Sequence, residues 1–109
     1  MTDKTLYKLH ADVCKALAHS IRIEIIDTLK SNELSFGEIL KKSGIAKSSL
    51  SQHLTVMVNK GLLVNRKEGL HVYYRLASGK VYDAFRIMRE VLRDRVRNEK
   101  NIYSRLKFG

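Results

Sequence analysis

Residues 35–76 read SFGEILKKSGIAKSSLSQHLTVMVNKGLLVNRKEGLHVYYRL, and the changes of period inside this stretch decide the fold. Ser35 followed three residues later by Glu38 is the pattern of a capping box, in which each side chain satisfies the other residue's backbone N–H, so a helix opens here. Ile39 and Leu40 give that helix its buried face and Gly44 ends it. Leu50, Leu54, Met57 and Val58 then recur at three-to-four spacing, which marks a second short helix, and Gly61 after Asn59 and Lys60 supplies a left-handed stop. Its start is expected at Ser48 or Ser49, the latter spaced to pair with Gln52 in a second capping box. Past Gly61 the period falls to two. Leu62-Leu63-Val64 and Val72-Tyr73-Tyr74-Arg75-Leu76 flank the charged glycine turn Arg66-Lys67-Glu68-Gly69-Leu70-His71, and two such runs around such a turn make a hairpin.

Outward from this centre the sequence is helical. Leu6, Leu9, Val13, Ala16 and Leu17 form the stripe of a first helix, and Ile21, Ile25, Ile26 and Leu29 that of a second, expected from Ser20 to Ser31 or Asn32. Downstream, Ser78 can cap a long helix whose stripe is Val81, Phe85, Met88, Leu92 and Val96, with Ala84 and Val91 beside it. Ile102, Tyr103, Leu106 and Phe108 continue the apolar character and are expected to form a partner surface. The order is four helices, a hairpin and a helix, which describes a mainly α winged helix-turn-helix with residues 1–109 as a single domain. A chain of 109 residues buries only about 60 to 65% of its unfolded surface. The first and last helices, in 1–18 and 78–109, are therefore expected to pack against their counterparts in a two-fold homodimer, through Leu6, Leu9, Val13, Val81, Phe85, Met88 and Leu92.

Charge narrows the partner. The 21 Lys and Arg against 11 Asp and Glu leave a formal net charge of +10, distributed as +1 over residues 1–46, +4 over 47–77 and +5 over 78–109. A nearly neutral front and a basic back attract a polyanion, and nucleic acid is the common one in a cytosol. With one cysteine, Cys14, a disulfide framework is excluded, and the absence of an apolar run of about 18 residues excludes a spanning helix. A cytosolic location is the default expectation.

Three segments carry a family resemblance: Ala16-Leu17-Ala18-His19-Ser20-Ile21-Arg22, Ser48-Ser49-Leu50-Ser51-Gln52-His53-Leu54, and the hairpin from Arg66 to Leu76. In order and spacing they resemble the ArsR/SmtB family, small dimeric bacterial and archaeal repressors, many of which release operator DNA on binding a metal. The resemblance spans roughly residues 10–92 and implies a homodimer that binds double-stranded DNA in the cytosol. Its metal ligands do not carry over. Positions that hold a Cys-x-Cys pair in many members are Ser35 and Gly37 here, and those of the last-helix sites are Ser78, Lys80, Val91 and Asp94. Zinc needs about four N, O or S ligands, so no cofactor is expected and the regulator is read as metal-independent.

The contacts follow from the periods. Lys47, Ser48, Ser51, Gln52 and Thr55 lie opposite the Leu50, Leu54 and Met57 stripe and are expected to reach the major groove. Gln52 is placed first for a base edge because its amide can pair bidentately with adenine. Ser48, Ser49 and the first-turn N–H groups would serve a phosphate, and His53 either reaches the DNA backbone or covers the core edge. In the hairpin, Val72, Tyr74 and Leu76 should meet the core. Arg66, Lys67, His71 and Arg75 should lie along a phosphate backbone or minor groove, with half-sites about 34 Å apart in a dimer. Arg22 either touches phosphate or pairs with Glu24 or Glu38. Cys14 is read as a small buried hydrophobe, its alternative being an intersubunit or modified thiol in redox control. His10, His19, His53 and His71 are too dispersed to form a metal site. Two further classes remain beside the specific regulator: a non-specific architectural DNA-binding protein and a protein-interaction module. A small molecule in the dimer interface is the other effector considered. No enzyme is expected, since no nucleophile has a positioned base and no phosphate-binding glycine loop is present.

Overall fold

The computed structural model describes residues 2–99. Its elements are α1 (Asp3–Ala16), α2 (Ser20–Leu29), β1 (Leu34–Ser35), α3 (Phe36–Ser43), α4 (Lys47–Asn59), β2 (Leu63–Glu68), β3 (His71–Leu76) and α5 (Gly79–Asn98). Residues 102–108, expected to form a partner surface, lie outside the described residues.

Helix ends follow local chemistry. The Ser35–Glu38 capping box forms in full: the Ser35 hydroxyl accepts from the Glu38 N–H at 3.1 Å and the Glu38 carboxylate accepts from the Ser35 N–H at 3.0 Å. Ser78 caps α5 by accepting from the Lys80 N–H at 3.1 Å. At the end of α4, Gly61 takes φ +75°, its N–H donates to the Val58 carbonyl, and that of Leu62 donates to Met57. This is a complete Schellman stop, reachable without strain because glycine has no Cβ. The start of α4 departs from expectation. Its N-cap is Ala46, which offers no side-chain acceptor, and neither Ser48 nor Ser49 caps the helix. The second helix also stops at Leu29, two residues early, where Lys30 turns the chain at φ +52°.

The sheet has three strands in the order β1-β3-β2, all antiparallel. Sequence reading anticipated the hairpin but not β1, two residues that pair Leu34 with Tyr74 and Ser35 with Tyr73. This strand welds the start of the helix-turn-helix to the wing, because Ser35 is both its last residue and the N-cap of α3.

The core is a single cluster. Ile25, Ile26 and Leu29 of α2, Ile39 of α3, and Leu50, Leu54 and Met57 of α4 are buried, closed at the wing root by Leu62, Leu63 and Leu76. Burial of a Leu or Ile contributes about 1.5 to 3 kcal/mol each, so α4 is held by its three stripe residues and its orientation is set by them. Outside this cluster the chain is open. In α1 only Ala16 is buried, and in α5 no residue is. Leu6, Leu9, Met88, Val91 and Leu92 are all about half exposed, and Met88 and Leu92 join Val13, Val81 and Phe85 in lining an apolar groove of about 630 Å³ that α1 and α5 form over α2. Cys14 lines that groove and is exposed, which corrects its reading as a buried hydrophobe. The cause is that α1 meets the core of its own chain only near its C-terminal end, through Val13, Ala16 and Leu17, and Cys14 lies off that contact.

Candidate nucleic-acid interface

Two elements present the polar surface. On α4, Lys47, Ser48, Ser51, Gln52 and Thr55 are exposed, while Leu50, Leu54 and Met57 on the opposite side have no exposure at all. The helical period therefore brings all five side chains together on one open face. Ser49 and His53 lie at the margins of that face and are half-buried. α3 precedes α4 at a turn closed by Gly44, whose φ of +67° only glycine adopts without strain, and whose N–H donates to the Leu40 carbonyl at 3.0 Å. Because Ala46 caps nothing, the first-turn N–H groups of α4 have no capping side chain and keep their donors and the positive end of the helix dipole for an anion.

The wing is the β2–β3 hairpin. Glu68 pairs with His71 across the two-residue turn Gly69-Leu70, with Gly69 at φ +60° as a type II′ turn requires. Lys67, His71 and Arg75 are exposed along it, Arg75 also donating to the Leu76 carbonyl at 3.3 Å. The expected alternation holds at the root, where Leu76 is buried and Tyr74 packs on the core, so that burial raises the Tyr74 phenol above its ordinary value. At the tip Leu70 is 97% exposed. Sequence reading assigned it to the turn and gave it no role, since a lone exposed leucine carries little signal.

Arg66 is engaged elsewhere. Its Nε and one terminal nitrogen clasp the Glu33 carboxylate at 2.7–3.0 Å, the other bonds Glu68, and its guanidinium stacks over the Tyr73 ring at 4.5 Å from the centroid. Those bonds hold Glu33 below the usual carboxylate range and push Arg66 upward. Arg22 forms neither anticipated ion pair; it bonds His53 and the end of α1. Of the four histidines, His19 and His53 meet edge-on with ring centroids 5.7 Å apart, whereas His10 is on α1 and His71 on the wing. Among the described residues no three His, Cys, Asp or Glu side chains converge as a metal site. No described helix is long and apolar enough to cross a membrane.

An exposed polar helix face beside a basic hairpin is the arrangement of a winged helix-turn-helix DNA reader, and comparison with known proteins agrees. Residues 19–64 match the family model described as bacterial regulatory protein, arsR family. Across 93 residues the chain is 36% identical to the uncharacterized HTH-type transcriptional regulator Rv0081 of Mycobacterium tuberculosis, covering 84% of this chain and 82% of that protein. The chain belongs to the arsR family. It is a DNA-binding transcriptional regulator, not an enzyme. The crystal structure of Rv0081 superposes with a TM-score of 0.80 at 34% identity, covering 86% of this chain and 95% of that one. The homodimeric winged helix-turn-helix domain of Mb0332 from Mycobacterium bovis gives 0.77 at 30% identity, covering 86% and 89%. The transcriptional activator HlyU of Vibrio cholerae is 42% identical over 67 residues, 62% of each chain.

Proposed function

We propose that this arsR-family protein binds a pseudo-palindromic duplex as a homodimer and represses transcription from it without a metal effector. The observation that carries the reading is the α4 face: five polar side chains stand open together on a helix whose other side is locked into the core. Gln52 reads a base edge, Lys47, Ser51 and Thr55 reach the same groove, and Ser48 and Ser49 with the first-turn N–H groups hold a phosphate. Lys67, His71 and Arg75 follow the adjacent backbone, with Arg66 joining them when it leaves its carboxylates. His53 lies at the edge of this surface and acts through its neighbours.

Dimerisation is supported by the open apolar stripes of α1 and α5 and by the homodimeric state of the Mb0332 domain. Repression is supported by the resemblance to a family of small dimeric repressors, since such a dimer can compete with polymerase for a promoter site. Relatives go both ways, with a biofilm growth-associated repressor in Xylella fastidiosa and an activator in V. cholerae. Metal independence rests on Ser35, Gly37, Lys80 and Val91 standing where other members hold ligands.

The test is selection of bound duplexes from a random library, with Gln52→Ala as the control. An enriched inverted repeat whose preference weakens in the variant supports specific dimeric recognition. Enrichment of nothing beyond salt-sensitive bulk binding would select an architectural role. On the selected duplex, Zn, Cd, Cu and Ni should leave affinity within about twofold; a tenfold change, about 1.4 kcal/mol of coupling, overturns metal independence.

A further inference from the structure

Arg22 stands in the first turn of α2 and bonds two other elements. Its Nε donates to Nδ1 of His53 at 3.0 Å, and a terminal nitrogen donates to the Ala16 carbonyl at 2.9 Å. That carbonyl belongs to the last residue of α1, where no further helical turn supplies a partner, and a guanidinium there also meets the negative end of the helix dipole. His53 is on α4, one residue past Gln52. One side chain thus ties the end of α1 and the start of α2 to the recognition helix.

The donor set fixes the state of His53. A guanidinium has only donors, so Nδ1 must present its lone pair, and the ring is neutral with its proton on Nε2. Burial of the ring opposes its protonation, as do the two cationic or titratable groups that face it, Arg22 from α2 and His19 from the α1–α2 connection. All three lower its affinity for a proton, and no carboxylate among the described residues offsets them. Protonating His53 removes the acceptor and sets an imidazolium against a guanidinium.

We propose that Arg22 is a positioning residue for DNA recognition: through His53 it holds the recognition helix in register with the end of α1, and it does not itself neutralise a phosphate. The inference rests on reading α4 as the recognition helix. It predicts that Arg22 governs how well the protein tells its operator from other DNA, while the electrostatic part of binding is untouched. It also predicts an unusual pH response. Added positive charge at low pH ordinarily tightens binding to a polyanion, whereas protonation of His53 breaks the tie and loosens binding to the operator.

The experiment measures affinity for the selected duplex and for a random one across a salt series, at pH 8 and pH 5.5. The proteins are the full-length wild type, Arg22→Ala, His53→Ala and His53→Asn, in which the amide oxygen stands near the place of Nδ1 and does not titrate. Expected are an about tenfold loss on the operator in R22A and H53A, the scale of a hydrogen bond to a charged group, and no change of salt slope. Binding to the random duplex stays within about twofold in both. H53N keeps operator affinity at pH 8 and loses the acid sensitivity of the wild type. Should R22A fail to fold, the contrast between H53A and H53N carries the same test. Equal losses on both duplexes with a slope reduced by about 0.9 would make Arg22 a phosphate contact and overturn the proposal. So would an H53N protein that binds as poorly as H53A. A wild type that does not prefer the selected duplex overturns the reading of α4, and this inference with it.

Discussion

Glu33 changes the electrostatics of the wing through Arg66. Its carboxylate clasps Arg66 from 33 positions away and takes that cation out of the positive field. A phosphate would have to displace Glu33 as well as Glu68 to recruit Arg66. Glu33→Gln should therefore tighten binding to duplex DNA and steepen the dependence of log affinity on log salt by about 0.9, the contribution of one more neutralised phosphate. Anisotropy titrations of wild type and E33Q at four salt concentrations check this, and an unchanged slope would show that Arg66 stays structural. Separation along the chain also explains what was legible at this scale. The exposure of Lys47, Ser48, Ser51, Gln52 and Thr55 follows from a helical period, which is local, and the sequence alone placed all five correctly on the open face. The partners of Arg66 and Arg22 are 33 and 31 residues distant, and no spacing rule connects residues across a fold. Sequence reading accordingly gave Arg66 to a phosphate and offered Arg22 two carboxylates that it does not use.

Among the elements, α3 shows how a local signal can govern a tertiary junction. Its capping box closes the helix, and the same Ser35 ends β1, which is paired to β3 of the wing. Ser35→Ala should cost about 1 kcal/mol, a fall of about 4–8 °C in Tm for a domain of this size, measured by thermal unfolding followed by circular dichroism. The cost should depend on pH. Bonds from the Ser35 backbone and side chain hold Glu38 below its ordinary value of 4.5. The folded state thus binds protons less readily than the unfolded one, and this stabilisation is full above pH 4.5 and fades as pH falls below it. The gap between wild type and S35A should therefore narrow on acidification, and a gap constant from pH 7 to pH 3 would show that the cap does not act through the carboxylate. The capping box was readable because it is a four-residue pattern. Strand β1 was not, since two residues cannot display an alternation. The start of α4 misled because two serines in a row suggest a cap, whereas the core fixes the register of Leu50, Leu54 and Met57 and leaves Ala46 at the N-cap.

The molecule as a whole is too extended for its length. Its radius of gyration is 16.2 Å, against about 13 Å for a compact chain of this size. The excess lies in helices that close only partly on their own core: no residue of α5 is fully buried, and Met88, Val91 and Leu92 stand open, as do Leu6 and Leu9 of α1. The first turns of α5 rest on the core through Val81, Tyr82 and Phe85, but further along the stripe Met88, Val91, Leu92 and Val96 stand open to water, which is costly for apolar surface. In the proposed homodimer a second copy would supply the missing cover, and its two-fold axis would double the α4 faces along the DNA. The dimer should then contribute to both stability and recognition, and one change should separate them from the fold of the helix-turn-helix. Leu92→Glu combined with Leu9→Glu sets charges in the stripe while touching none of the buried cluster of α2, α3 and α4. Sedimentation velocity should show a monomer where the wild type is a dimer, with the sheet and the helix-turn-helix retained by hydrogen exchange. Affinity for the inverted repeat should drop by about 10² or more, because the second half-site is no longer tethered to the first, while affinity for a single half-site stays within about threefold, since the α4 face is intact. If the double variant remained dimeric, the seam would lie elsewhere on the chain. If it became monomeric yet held the full repeat as tightly as before, two-fold recognition would fail even though the dimer was real.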